Sequence, residues 1–271
     1  MELVGYVQTW RFTPAQCHYL QTEHALTLPF PLVFPETGET VAEQATLVAT
    51  AKRALESSGL LSRPGRLDAD VEGALAILAT PATLVDVFGY GETGAGDGSV
   101  RVFRAVAAIS GTVGVVAEQT PDNRLLAVTV DRAEHTLHRL LRVLPNYPPG
   151  KIPAIDLPAD DMRRPSHAPR RGTYTNYYSA VAGDKETRKH QAKRLLAGPH
   201  AGAGQIGTTN RNNDGRTARV LAGHWFSVPG DGRYLAWTDT AEMGHTWTRI
   251  RPATPNHLVS RIQHALSKAT P

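Results

Sequence analysis

Val41, Ala45, Val48, Ala51 and Leu55 recur at intervals of three and four, the spacing that lines up side chains on one face of an α-helix. Thr40 with Glu43 forms a capping-box pattern at its start, and Gly59 sits where a C′ glycine ends a helix. The same signature opens an earlier helix over 14–24: Thr13 precedes Pro14 and stands three before Gln16. A third helix starts at Asp68 and stops before Pro81, with Val71, Leu75 and Leu78 on one face. Asp131 with Glu134 opens a fourth, which carries Leu137, Leu140, Leu141 and Leu144 and ends at Pro145. Residues 173–198 read as helix with a break near Gly183 and a restart at Asp184. A last helix, Pro255 to Lys268, turns Leu258, Ile262, Ala265 and Leu266 inward.

Between these lie runs of the other period. "TLVDVFGY" (83–90), "VRVFRAVAAI" (100–109), "TVGVVAEQ" (112–119) and "RLLAVTV" (124–130) are rich in strand formers. Further strands are expected at 203–210, 216–228, 233–238 and 246–251. Short connections make each set an antiparallel meander. The long exception is "GYGETGAGDGS", Gly89 to Ser99, with five glycines in eleven residues. Residues 145–169 hold seven of the nineteen prolines and read as a linker between halves. The order helix, antiparallel strands, helix occurs twice, in 1–150 and in 151–271. That repetition predicts a pseudo-symmetric α+β molecule built on a central antiparallel sheet.

Composition narrows the function. At 271 residues, with 41% hydrophobic and 20% charged, the chain can bury a sizeable core. No stretch approaches the ~18 consecutive apolar residues of a membrane span, and "MELVGYVQTWRFTP" has no secretory pattern. Cys17 is the sole cysteine, which excludes an intrachain disulfide and a zinc site built on thiolates. These features point to the cytoplasm. The net charge of +4 divides unevenly: Arg163–Arg194 carries a local +7, which leaves −3 elsewhere.

Gly202, Gly204 and Gly207 spell G-x-G-x-x-G. A dinucleotide fingerprint needs a strand before it and a helix after it, so that the helix N-terminus holds the pyrophosphate. Here a helix ending in "KRLLAGPH" comes first, and "TTNRNNDGRTARV" follows with Asp214-Gly215, a hairpin turn signal. The glycines therefore belong to a strand whose small residues permit close approach, and no cofactor is expected. His135 and His138 beside Glu134 lie three apart, where a zinc-protease helix needs four. No G-x-S-x-G elbow or Walker A occurs. Catalytic residues, metal ligands and cofactor contacts are expected to be absent.

The string "GAGQIG…NNDGRTAR…PGDGRYLAW" resembles the C-terminal region of the EspG family, the chaperones of actinobacterial type VII (ESX) secretion. Its parts are the Gly202–Gly207 strand, the Asn213–Arg216 turn and Gly232-Arg233-Tyr234. The N-terminal half fits by pattern, with Leu28-Pro29 and Pro31-Leu32, Gly59-Leu60, a helix end at Leu75 to Pro81, and a close at Leu144 to Gly150. The resemblance implies a non-catalytic cytosolic protein with a central antiparallel sheet, two flanking helical bundles and pseudo-two-fold halves. It implies a PE–PPE heterodimer as partner, bound at the hydrophobic tip of the PPE helical hairpin. The chaperone would keep that pair soluble and direct it to a cognate ESX system, and would be a monomer or weak homodimer when free.

In such a protein the contacts come from the sheet, the loop between the second and third strands, and the C-terminal helical region. Carried onto this chain, they nominate Tyr90, Gly91, Glu92 and Asp97 in the loop, Gln205 and Ile206 in the glycine-rich strand, and Trp225 and Tyr234 on the strands beyond. Phe226 and Trp237 belong to the same aromatic group, for which core packing is the competing reading. The alternative function is a nucleic-acid-binding module that uses the basic 163–194 segment, with Tyr174, Tyr177 and Tyr178 as stacking partners.

Overall fold

Two capping boxes fix where the N-terminal helices begin. The Gln16 amide donates to Thr13 Oγ1 at 3.3 Å and the Thr13 amide to Gln16 Oε1 at 2.9 Å, with the same exchange between Thr40 and Glu43. The computed structural model describes residues 7–34, 38–62, 65–92, 99–119, 124–163, 177–212, 214–240 and 244–269, with side chains for all of these save 163, 177–185 and 269.

The N-terminal half runs β1 (Gln8–Phe12), α1 (Pro14–His24), α2 (Val41–Ser57), a small hairpin of β2 (Leu61–Ser62) and β3 (Arg66–Leu67), and α3 (Ala69–Ala79). The meander β4 (Thr83–Glu92), β5 (Val100–Ser110), β6 (Val113–Gln119), β7 (Leu126–Arg132) and then α4 (Ala133–Leu140) complete it. The C-terminal half repeats the plan with β8 (Ile155–Pro158), α5 (Ala159–Arg163), α6 (Tyr177–Ala197), β9 (Gly202–Arg211), β10 (Thr217–Val228), β11 (Gly232–Thr240), β12 (Thr246–Pro252) and α7 (Pro255–Ala269).

Ten strands form one antiparallel sheet in the order β1-β7-β6-β5-β4-β9-β10-β11-β12-β8. In each half the first strand lies at the outer edge and the meander runs between it and the centre. The halves meet where β4 pairs β9, with Val87 opposite Ile206 and Gly89 opposite Gly204. The sheet is thus pseudo-two-fold about the β4–β9 seam.

Alternation along the strands assigns two faces. On the front, Val106, Ala108, Val115, Ala117 and Val128 pack under α1, α2 and α3 through Leu20, Leu55 and Leu78. Also on the front, Phe226, Tyr234, Ala236 and Ile250 pack under Ala192 and Leu195 of α6. On the back, Val85, Val87, Ala105, Ala107, Ile206 and Trp225 pack against Leu137 and Leu140 of α4 and Leu258 and Ile262 of α7. Residues 105–108 are buried on both faces, and three of the four are alanine, so helices approach closely on both sides. The front face differs from the back in one respect. Its two helical layers sit over the two halves and leave the central strands between them.

Several sequence expectations change. The proline-rich stretch from 145 is no free linker as far as Pro158. Ile155 and Leu157 pair with β12, the Gly150 amide donates to the Arg233 carbonyl at 2.9 Å, and the Arg233 amide donates to Pro148 at 2.7 Å. Prolines fit there because an edge strand and its approach leave backbone positions that need no N–H donor. Helix α6 continues through Gly183 without a break, since one glycine costs only about 1 kcal/mol of helix propensity. Helix α4 starts one residue later than expected, with Arg132 at the N-cap. Asp131 instead receives the Arg139 guanidinium at 2.7 Å and the Arg132 amide.

Candidate functional site

The uncovered centre of the front face is an open groove of about 500 Å³. Register defines its floor. One row across the strands runs Arg104, Phe88, Gln205, His224; the next runs Val102, Tyr90, Ala203, Phe226. Three inter-strand steps make the floor about 14 Å wide, broader than the ~10 Å of a single helix. One wall is the C-terminal end of α6 with Leu196 and the following His200. The floor and wall are predominantly apolar, and their apolar side chains reach water: Tyr90 is 40% exposed, Val102 36% and Leu196 37%. Three exposed apolar side chains, Tyr90, Val102 and Leu196, thus gather in one concavity.

The polar groups in the groove are few. His200 Nε2 lies 2.8 Å from the Leu195 carbonyl oxygen, which can only accept, so this nitrogen carries the proton. Its ring tilts against Phe226 at 4.9 Å between centroids. Gln205 and His224 stand opposite each other on β9 and β10, both exposed. Among the described residues no group of three or more His, Cys, Asp or Glu could hold a metal ion.

The glycine motif builds this site from beneath. Gly204 and Gly89 face each other across the seam, and the Trp225 indole fills the back-face space that they leave. A Cβ on Gly89 would come within 2.7 Å of Trp225 Cζ2, and one on Gly204 within 2.7 Å of Nε1. Gly207 does a different job on the front face, where a Cβ would overlap the Arg219 guanidinium. That guanidinium crosses Gly207 to grip both carboxylate oxygens of Asp86, which is buried on β4; Nη2 donates to Oδ2 at 3.0 Å and Nη1 to Oδ1. A bulge makes this possible. Arg219 pairs with Thr209 and Leu221 with Thr208, so Val220 is the extra residue. In unbulged register Val220 would pair with Thr209, and Arg219 would stand opposite Asn210 and point to the back.

Residues 13–264 match the EspG family. The chain belongs to the EspG family. Among solved structures, the Mycobacterium tuberculosis type VII secretion system chaperone EspG5, in complex with the PE25–PPE41 dimer, has the same fold. The TM-score is 0.60 over 96% of both chains, at 14% sequence identity. No curated protein matches the chain.

Within this EspG-family chain the nominated residues separate. Tyr90 and Gln205 lie together on the groove floor, on neighbouring strands. Glu92 shares their face but lies past the end of the groove, its amide 3.2 Å from the Tyr147 hydroxyl. The expected loop residues Gly89 to Glu92 belong instead to strand β4. Asp97 falls outside the described residues. Gly91 points to the back face, where Pro145 fills the place of a side chain. Ile206 is corrected outright: at 1% exposure it packs in the back core, because it follows Gln205 on a strand whose back face is covered by α7. Trp225 is likewise a fully buried back-face residue that supports the floor from below, stacked 5.7 Å from Phe103.

Tyr234 is buried under α6, where its hydroxyl donates to Asp231 at 2.7 Å and accepts from the Ile152 amide at 2.8 Å. Burial, then the Asp231 hydrogen bond, pushes its pKa up to about 12. Phe226 is a front-core residue under α6 and Trp237 a half-buried back-face residue, with the Arg261 guanidinium 4.7 Å from its ring centre.

Sequence reasoning missed Phe88, Val102, Arg104, Leu196, His200 and His224. Alternation carried part of the signal, since Val100, Val102 and Arg104 continue the front-face positions of β5 beyond the buried Val106 and Ala108. That the helical layers stop short of them is a tertiary fact with no local signature. Of the basic 163–194 segment, side chains are described only from 186 onward, and Tyr174 lies outside the described residues. No helix among the described residues is long and apolar enough to cross a membrane.

Proposed function

We propose that this chain is a type VII secretion chaperone that binds a PE–PPE heterodimer and covers the apolar tip of its helical hairpin with the central groove. Membership of the EspG family and the likeness to a chaperone whose own complex contains a PE–PPE dimer support the chaperone role. The observation that carries the docking site is the apolar floor of exposed Tyr90 and Val102 and half-buried Phe88, with exposed Leu196 as its wall. A groove of about 500 Å³ takes a few anchoring side chains, and a handful of such anchors carries most of the energy of a typical interface. A stable complex buries roughly 1,600 Å² in total, so the contact continues onto the groove rims. Covering the tip removes an aggregation hazard from a secreted pair before export. The protein needs no chemistry for this, and acts from the cytoplasm on a client that leaves it.

Co-expression with PE–PPE pairs followed by co-purification at micromolar concentration tests the reading. A stoichiometric complex with at least one pair is expected. Failure with every pair, while the isolated chain remains folded and monodisperse, would overturn it.

A further inference from the structure

Arg104 stands in the same cross-strand row as Phe88, directly opposite it, and its guanidinium carbon lies 5.4 Å from the centre of the Phe88 ring. It is half-buried on the groove border. Among the described residues its side chain has neither an ion pair nor a hydrogen bond, and the acceptors on the strands beside it are held by other groups or lie too far along the strand. Gln119, opposite on β6, turns its amide to Val33, whose N–H it accepts at 2.9 Å and to whose carbonyl it donates at 2.6 Å. Asp86, one diagonal step away, holds Arg219 with both oxygens. Glu92 is four residues further along β4, about 13 Å away at strand spacing. The ring face beneath the guanidinium stabilises the cation and leaves its N–H edge directed at no partner.

A cation in this position penalises any occupant that buries it without an acceptor, because desolvated charge left unpaired is strongly unfavourable. An occupant that brings a carboxylate gains a charge-assisted, bidentate contact instead. We propose that Arg104 is a specificity-determining residue of the groove: it selects clients whose apolar helical tip carries an acidic side chain placed over Phe88. The inference deepens the docking reading given above and depends on it. It implies that two clients of equal apolarity are told apart by one carboxylate.

The test takes a PE–PPE pair that the wild-type chain binds and measures Kd for Arg104→Ala, Arg104→Lys and Arg104→Glu at low and high salt. Arg104→Glu is expected to weaken binding by about thirtyfold or more, and Arg104→Ala by about five- to tenfold. Arg104→Lys should fall between wild type and alanine, since a point charge lacks the fork. The salt dependence of Kd should be shallower for Arg104→Ala than for wild type. Replacing the client's acidic residue with lysine should restore affinity to Arg104→Glu. If Arg104→Glu proves unstable, Arg104→Gln, which keeps the stem and removes the charge, should reproduce the alanine result. Binding by Arg104→Glu or Arg104→Gln within twofold of wild type would overturn the proposal alone. Absence of binding by the wild-type chain to every pair would overturn the docking reading and this inference with it.

Discussion

Replacing Gly207 with alanine tests how the glycine motif works. The new methyl group falls on the Arg219 guanidinium, which is the end of a flexible side chain and 41% exposed, so it can swing into water. The backbone need not move. The cost is therefore the ion pair, because Asp86 stays behind at 1% exposure with its partner gone. Exposed pairs contribute about 0–1 kcal/mol, and breaking a buried one costs about 3–5 kcal/mol. With one partner buried and the other half-exposed, a loss of roughly 2–4 kcal/mol follows. At the ~2–4 °C per kcal/mol typical of chains this size, that is a Tm drop of roughly 4–16 °C.

A double-mutant cycle isolates the cause. In an Arg219→Ala background the carboxylate is already unpaired and the space above position 207 is empty. There Gly207→Ala should change stability by less than about 0.5 kcal/mol. Thermal unfolding followed by circular dichroism reads all four proteins. A Tm for Gly207→Ala within 1 °C of wild type would refute the reasoning. So would an equal drop in both backgrounds, which would assign the glycine to backbone strain rather than to the Arg219–Asp86 contact.

Three further outcomes follow from the same contacts. Leu196→Asp should weaken client binding by about ten- to hundredfold while Tm stays within about 2 °C, since Leu196 is a surface wall residue; a large Tm loss would make it core. Tyr234 has its pKa raised to about 12 from an unfolded value of about 10, so the stability tied to its neutral form is complete below pH 10 and is lost as pH rises through 12. The burial-shifted groups Cys17, Tyr19 and Tyr147 act in the same direction, so Tyr234→Phe is compared with wild type at each pH, and the Tm gap between them should narrow across that window. Thr40→Ala removes the acceptor for the Glu43 amide and should cost about 1 kcal/mol by chemical denaturation; no change would mean that α2 frays before the global transition.

The legible parts of this protein are those written locally. Thr13–Gln16, Thr40–Glu43 and Asp68 fixed three helix starts because capping is a contact over three residues. Strands β4 to β7 and β9 to β12 were readable from their composition and short connections. The edge strands were not: "QTWRF" and "IDLP" are too short to show a period, and they become strands by adding to β7 and β12. The site was legible in part. Tyr90 and Gln205 were named from resemblance and share the groove. Ile206, Trp225 and Tyr234, nominated for the client surface against a competing reading of core packing, have side chains in the core. A strand buried on both faces shows no contrast by which to tell the open side from the closed. The Val220 bulge, which decides that Arg219 faces Asp86, had no sequence signal at all.

The central claim is that the client sits on the front of the β4–β9 seam. Cys17 makes a direct measurement possible, because it is buried and its thiol is pushed up to about 12, leaving it inert to alkylation near neutral pH. Gln205→Cys therefore creates one reactive thiol on the groove floor, and Lys52→Cys, on an exposed position of α2, serves as the reference. Saturating PE–PPE heterodimer should slow alkylation at position 205 by at least tenfold and leave position 52 unchanged. Equal rates at position 205 with and without a client bound at saturation would contradict the account.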